Sequence, residues 1–245
     1  MRLILLTLSL CFCLNEESNN DFIYFGGWPK NQLKDQIAGP NLDYKCPNSI
    51  GCECTSNEDC INNNCLRSPR GSFCYPKEGD TFPEFISVDQ YDELVNIYDF
   101  ANQGKYILIE LGTSWCSPCN VVANWLSYND KEITNKSFWK PEYQKIYDII
   151  HNDEIFFITI LYEDENRNNA TYDTIYEWFD NYPDENIPLL IDQNKLLHTW
   201  MKPTGIPAIT LVDENMKIVN FSSRGLNESF DILLSLLNEN ENQNQ

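Results

Sequence analysis

The stretch Trp115-Cys116-Ser117-Pro118-Cys119 has residue types and spacing that can do chemistry. Two cysteines separated by two residues can close a disulfide with little rearrangement if they sit in the first turn of a helix. The first thiol then lies where unpaired backbone N–H groups and the helix dipole favour negative charge. Its pKa is expected to fall, giving a thiolate at neutral pH. A thiolate attacks a substrate disulfide, and a second thiol one turn further in resolves the mixed disulfide. On this reading Cys116 is the nucleophile and Cys119 the resolving thiol. The alternatives are half of a zinc site, for which no second ligand pair lies nearby, and a structural disulfide.

Such a pair needs a strand before it and a helix behind it. Residues 106–111 are a short apolar run that reads as a buried strand. Residues 116–128 place Val121, Val122, Trp125 and Leu126 on one side, which reads as a helix. Downstream, 141–150, 171–182 and 195–200 read as helices, and 155–161 and 188–191 as strands. Residues 208–212 and 217–221 read as a hairpin. The last helix is expected over 226–237, with Phe230, Leu233, Leu234 and Leu237 in helical spacing. Residues 239–245 are polar and are expected to be a disordered tail. This alternation predicts an α/β sandwich with a mixed central sheet over residues 79–238.

Residues 46–76 differ in kind. Cys46, Cys52, Cys54, Cys60, Cys65 and Cys74 are separated by Asn, Asp, Ser and Gly, with few large apolar residues. A hydrophobic core cannot hold such a piece, so three disulfides are expected, with the pairing left open. Neighbouring histidines and repeated ligand pairs are lacking, which disfavours a metal site. Residues 15–45 carry Gly-Gly-Trp-Pro and Gly-Pro turn signals and read as a linker. Arg2 followed by the apolar run 3–14 reads as an export signal, too short for a bilayer span of roughly 20 apolar residues. Leu8-Ser9-Leu10-Cys11 offers a lipoprotein signal as the alternative. Dense cysteine agrees with export, because disulfides persist in oxidising compartments.

The chain of 245 residues has 37 acidic and 17 basic side chains and a formal net charge of −20. A surface this negative repels phosphate backbones and anionic lipid, so nucleic acid is not expected as a partner. His151 and His198, the two histidines, lie far from the cysteine pair in sequence and read as structural. Sequons at Asn135, Asn169, Asn220 and Asn227 carry little weight in so asparagine-rich a chain.

The stretch 112–119, Gly-Thr-Ser-Trp-Cys-Ser-Pro-Cys, resembles the active-site loop of the thioredoxin superfamily. Gly205-Ile206-Pro207, standing before a strand, is similar to that family's cis-proline loop. Residues 79–85 and Gly104-Lys105 resemble the opening of the branch shared by TlpA/ResA-like proteins and peroxiredoxins, and the run 189–193 is similar to its later strand. The resemblance covers roughly residues 79–238. It implies that Pro207 is cis and that the Ile206 backbone pairs with an extended substrate. It implies that Trp115 forms a flat surface beside the disulfide. It also implies that Glu110 lies buried under the motif with a raised pKa, shuttling a proton to and from Cys119. Glutamate here replaces the aspartate of thioredoxin itself.

The function expected is disulfide exchange with exported proteins, outside the cytoplasm and without a cofactor. The direction expected is reducing, which requires an electron donor such as a membrane protein. A peroxiredoxin-like peroxidase is the second reading; Thr113 fits it, but Ile109 occupies the position that site reserves for proline. A non-enzymatic binding protein with a structural disulfide is the third.

Overall fold

The computed structural model describes residues 23–42 and 46–243. The export-signal segment 1–14, with Cys11, lies outside the described residues.

Three disulfides organise the cysteine-rich piece: Cys46–Cys52, Cys54–Cys65 and Cys60–Cys74. They surround a hairpin of β1 (Cys65–Ser68) and β2 (Gly71–Cys74). Cys54, Cys60 and Cys74 form a small buried cluster of their own. Cross-links thus stand where a larger domain would have a hydrophobic centre. Pairing follows the fold rather than the spacing: the hairpin sets Cys65 directly opposite Cys74, yet each bonds elsewhere.

A second antiparallel hairpin, β3 (Ile86–Val88) with β4 (Leu94–Asn96), follows. Sequence patterning does not suggest it. Its strands are three residues long and half-exposed, too short to show an alternation.

The main body is built on a five-stranded sheet of β5 (Ile107–Gly112), β6 (Phe156–Leu161), β7 (Leu189–Ile191), β8 (Ala208–Val212) and β9 (Ile218–Phe221). The spatial order is β7-β6-β5-β8-β9. Strands β5, β6 and β7 run parallel, whereas β8 and β9 are antiparallel to their neighbours. Every residue of β5 is buried, as expected of a strand covered on both faces.

One face is covered by α1 (Ser117–Tyr128), α2 (Gln144–His151), α3 (Tyr172–Asn181) and α5 (Asn227–Gln243), which pack Val122, Trp125, Ile146, Trp178 and Phe230 over Leu108, Phe157 and Ile209. The other face carries α4 (Leu196–Met201) and residues 97–101, closing over Ile107, Ile109 and Ile158. The body is thus an α/β sandwich with a mixed central sheet, preceded by a disulfide-rich module. Among the described residues no helix is long and apolar enough to cross a membrane.

Two expectations need correction. Of the presumed linker, the described residues 23–42 belong to the second core: Tyr24, Trp28 and Leu42 are buried there. The Tyr24 hydroxyl and the Asn31 amide both donate to the buried Asp99 carboxylate, Lys34 pairs with it, and Trp28 Nε1 donates to Asp89 at 2.8 Å. Anchors this far apart leave no local periodicity to read. The presumed tail is helical, since α5 runs to Gln243. Once packed, a helix extends at one added hydrogen bond per residue, even where the apolar spacing ends at Leu237.

Candidate functional site: a buried cysteine pair at a helix N-terminus

β5 delivers the chain to the site and α1 receives it. Gly112 ends the strand, and the turn is held by Cys116 N–H donating to the Thr113 carbonyl at 3.2 Å. Cys116 is the N-cap of α1, and its sulfur accepts the Cys119 N–H at 3.2 Å. Its carbonyl accepts the first helical bond, from Asn120, at 3.0 Å. An N-cap position and a direct N–H donor both stabilise negative charge on that sulfur. Pro118 occupies the first turn, where its missing N–H costs nothing. Cys116 and Cys119 are disulfide-bonded, with Cα atoms 5.2 Å apart. Cys119 is fully buried, and Cys116 is 2% exposed. Any partner must therefore reach the Cys116 sulfur through a narrow window.

Glu110 lies beneath the pair. It is the one charged residue of β5, 1% exposed, with Thr159 and Ile209 as its neighbours across the sheet. Thr159 Oγ1 donates to Oε2 at 3.0 Å, and Oε1 has no partner. Burial pushes the carboxyl up to about 7, with the Thr159 bond only partly opposing it. A Cβ added at Gly112 would stand 3.3 Å from the Cys119 sulfur and 3.7 Å from Glu110 Oε1. The orphan oxygen and the inner sulfur therefore flank the same small glycine. A carboxyl titrating near neutrality in that position can take or give a proton there.

Trp115 is held by Glu163 and Arg167. Its Nε1 donates to Glu163 Oε2 at 2.8 Å, Lys195 pairs with the other Glu163 oxygen at 2.7 Å, and the Arg167 guanidinium lies 3.9 Å from the ring centroid. Partial burial works against the Glu163 charge, but the bonds from Lys195 and Trp115 hold its carboxyl below the usual range. The sequence singles out Trp115 but not Glu163, Lys195 or Arg167. Trp115 and Glu163 are 48 positions apart, and no local pattern links them.

The Ile206–Pro207 peptide bond is cis. The Pro207 carbonyl accepts from Gly225 at 2.6 Å, and Thr204 and Gly205 both donate to Ser223. Ile206 itself makes no backbone hydrogen bond among the described residues, so its N–H and C=O are available to an extended chain. Beside it a cavity of about 320 Å³ is lined by Pro118, Phe138, Ile206, Pro207, Arg224 and Leu226. Neither Phe138 nor Arg224 carries a sequence signal.

The cysteine-rich module docks next to this loop. Tyr75 donates its hydroxyl to the Lys202 carbonyl at 3.1 Å, and Lys202 Nζ lies 5.1 Å from the Phe73 ring centroid. Between module and sheet a second cleft of about 380 Å³ is lined by Leu66, Arg67, Pro69, Tyr75, Thr204 and Arg224. Arg224 is common to both cavities. The sulfurs of Cys54, Cys60 and Cys74 lie close enough together to suggest a metal site, yet each is committed to a disulfide.

The two histidines differ. His151 stacks on Tyr147 and contacts Asp184 at 3.1 Å, away from the cysteines. His198 packs against Tyr162 at 4.5 Å, beside Glu163 in sequence; burial first, then Lys195, Lys202 and Arg70, lower it to about 4.

No protein-family model matches the chain, and no curated protein matches it in sequence. Solved structures are similar to it at low identity and with TM-scores below 0.5. The thioredoxin domain of a thiol-disulfide oxidoreductase from Bacteroides vulgatus is 20% identical, with 64% of this chain and 98% of that chain covered and a TM-score of 0.44. An exposed lipoprotein thioredoxin from Streptococcus pneumoniae is 18% identical over 64% of this chain and 98% of that one, with a TM-score of 0.45. A thiol peroxidase from Chromobacterium violaceum is 17% identical over 69% and 90%, with a TM-score of 0.47.

Proposed function

We propose that the protein is a thiol–disulfide oxidoreductase that acts outside the cytoplasm and reduces disulfides of exported proteins through Cys116 and Cys119. The observation that carries the reading is the cysteine pair at the N-terminus of α1 with the orphan Glu110 oxygen beneath it.

In the reduced enzyme, the Cys116 thiolate attacks one sulfur of the substrate disulfide. The substrate S–S bond breaks, its other sulfur leaves as thiolate, and a mixed disulfide forms. Glu110, as carboxylate, accepts the Cys119 proton. The Cys119 thiolate then attacks the Cys116 sulfur, the second substrate sulfur leaves as thiolate, both substrate thiolates take protons from solvent, and Glu110 releases its own. The products are a substrate dithiol and the Cys116–Cys119 disulfide. A dithiol donor, presented at the membrane, returns two electrons and two protons. Ile206 offers backbone pairing to the substrate chain, and Trp115 flanks the sulfurs.

The helix N-cap stabilises the Cys116 thiolate and by itself pulls the pair toward an oxidant, so the reducing direction rests on Cys119. Strong oxidants of this kind gain their power from a stabilised reduced state. A carboxylate beside Cys119 withholds that stabilisation from a thiolate there. Export is supported by the apolar run 3–14 and by three disulfides within residues 46–74.

Equilibration in glutathione buffers, followed by alkylation and peptide mapping, tests the reading. Mapping is required because six other cysteines pair in the module. A potential near or below about −270 mV is expected for Cys116/Cys119. A value near about −120 mV would make the protein an oxidant. A pair that never exchanges with the buffer would leave only a structural disulfide.

A further inference from the structure

Arg67, Arg70, Arg167 and Arg224 are all the arginines of the described residues, and all four are exposed. The chain carries 37 carboxylate side chains, yet none of these arginines makes an ion pair or a side-chain hydrogen bond among the described residues. Lys34, Lys105, Lys136, Lys140 and Lys195 instead pair with Asp99, Asp153, Glu132, Asp231 and Glu163, five of those carboxylates.

Their placement is not scattered. Arg167 covers the Trp115 ring. Arg224 lines the cavity shared with Pro118 and Pro207, and joins Arg67 in the adjoining cleft. Arg70 and Arg167 both act electrostatically on Tyr162, next to Glu163. The Arg224 stem is also seated: a Cβ at Gly205 would stand 2.8 Å from its Cγ, so the absence of a side chain there lets the arginine lie along the cis-proline loop. Glu228 is the sole acidic side chain among the residues lining either cavity. Guanidinium is the group suited to gripping carboxylates in pairs.

We propose that the protein selects disulfides embedded in acidic, extended polypeptide segments, with Arg67 and Arg224 holding carboxylates in the clefts beside the cis-proline loop and Arg167 holding one over Trp115. This rests on the oxidoreductase reading above and adds the substrate class to it. The net charge of −20 opposes long-range encounter with an acidic chain, so selection has to act at short range, in the groove itself. Charges beyond about 8 Å are largely screened at physiological salt, so the local guanidiniums set the field at the groove. The module then has a purpose that its sequence does not disclose: its hairpin supplies Arg67 and one wall of the cleft.

The test compares disulfide-linked peptides identical except for flanking Glu, Gln or Lys pairs, at about 0.15 M salt, with hydroxyethyl disulfide as an uncharged small probe. In the natural protein kcat/KM for the Glu peptide should exceed that for the Gln peptide by about tenfold, since several exposed ion pairs act together. The Lys peptide should be slowest. In Arg67→Gln/Arg224→Gln the Glu-to-Gln ratio should fall to within about twofold of one, and Arg224→Lys should restore part of it. Because the readout is a ratio within each variant, a general loss of activity does not mimic the result. Turnover of hydroxyethyl disulfide with a Glu-to-Gln ratio at or below one overturns the acidic-substrate proposal alone. No turnover of any disulfide overturns the oxidoreductase reading and this proposal with it.

Discussion

Glu110 and Cys119 face one another across Gly112, with the unpartnered carboxylate oxygen and the inner sulfur both within 4 Å of the place a glycine Cβ would take. A buried acid that titrates near neutrality and a buried thiol that must lose a proton are thus neighbours. The resolving half-reaction should depend on that pairing.

Replacing Glu110 with Gln removes the proton acceptor while keeping the shape. Release of substrate from the Cys116 mixed disulfide should slow by about 100-fold, in the usual range for general base catalysis. In the natural protein the rate of that step should rise with pH and level off above about 7, where the carboxyl is ionised. In Glu110→Gln the rise should shift to the thiol's own range. Single-turnover quenching with mass detection of the mixed disulfide reads both, and equal rates in the two proteins would make Glu110 a structural residue.

Stability of the oxidised protein should carry two opposing pH terms. Glu110 is raised from 4.5 to about 7, so between those values the folded state holds a proton the unfolded chain has lost, and stability falls as pH rises. His198 is lowered from 6.5 to about 4, so over that window the unfolded chain holds the extra proton, and stability rises with pH. The two offset each other between about pH 4.5 and 6.5. Glu110→Gln should therefore steepen the rise on the acid side and exceed the natural protein in stability above about pH 7. His198→Asn should leave stability declining from about pH 4.5 to 7. Urea unfolding across roughly pH 4 to 8 measures these slopes, and parallel profiles in all three proteins would count against both assignments.

Gly112→Ala inserts a methyl between the two groups, 3.3 Å from the Cys119 sulfur, in a strand buried on both faces. Overpacking of this kind costs about 1–3 kcal/mol. A lower melting temperature together with slower disulfide exchange is expected, whereas a change in neither would mean that α1 yields freely.

Trp28→Ala tests whether residues 23–42 belong to the folded body. Trp28 is 5% exposed and bonded to Asp89, so its truncation should cost about 3–5 kcal/mol. A linker residue would cost almost nothing. The comparison is read from denaturation midpoints.

Much of this architecture is legible in the order and spacing of the residues. The apolar run ending at Leu111, the cysteine pair at the head of a helix, and the hairpin before the last helix all rest on periodicities and caps spanning a few residues. Glu110 can be noticed because it interrupts an apolar strand. The β3–β4 hairpin escapes because its strands are too short to show alternation. Trp28 escapes because one buried aromatic among turn residues has no pattern around it.

The amino-acid sequence alone dictates the element order from β5 onward, the mixed sandwich and the cysteine pair at the N-terminus of α1, since each is a matter of local spacing and of which face is apolar. The three-dimensional fold is what sets how the six module cysteines pair, joins the segment before them to the core, gathers Glu163, Lys195 and Arg167 at Trp115, and lays Arg224 along the cis-proline loop. Those contacts join residues tens of positions apart, among them Trp115 with Glu163 and Tyr75 with Lys202. Nothing in the spacing of such residues favours one partner over another until the sheet brings their strands and loops to the same edge.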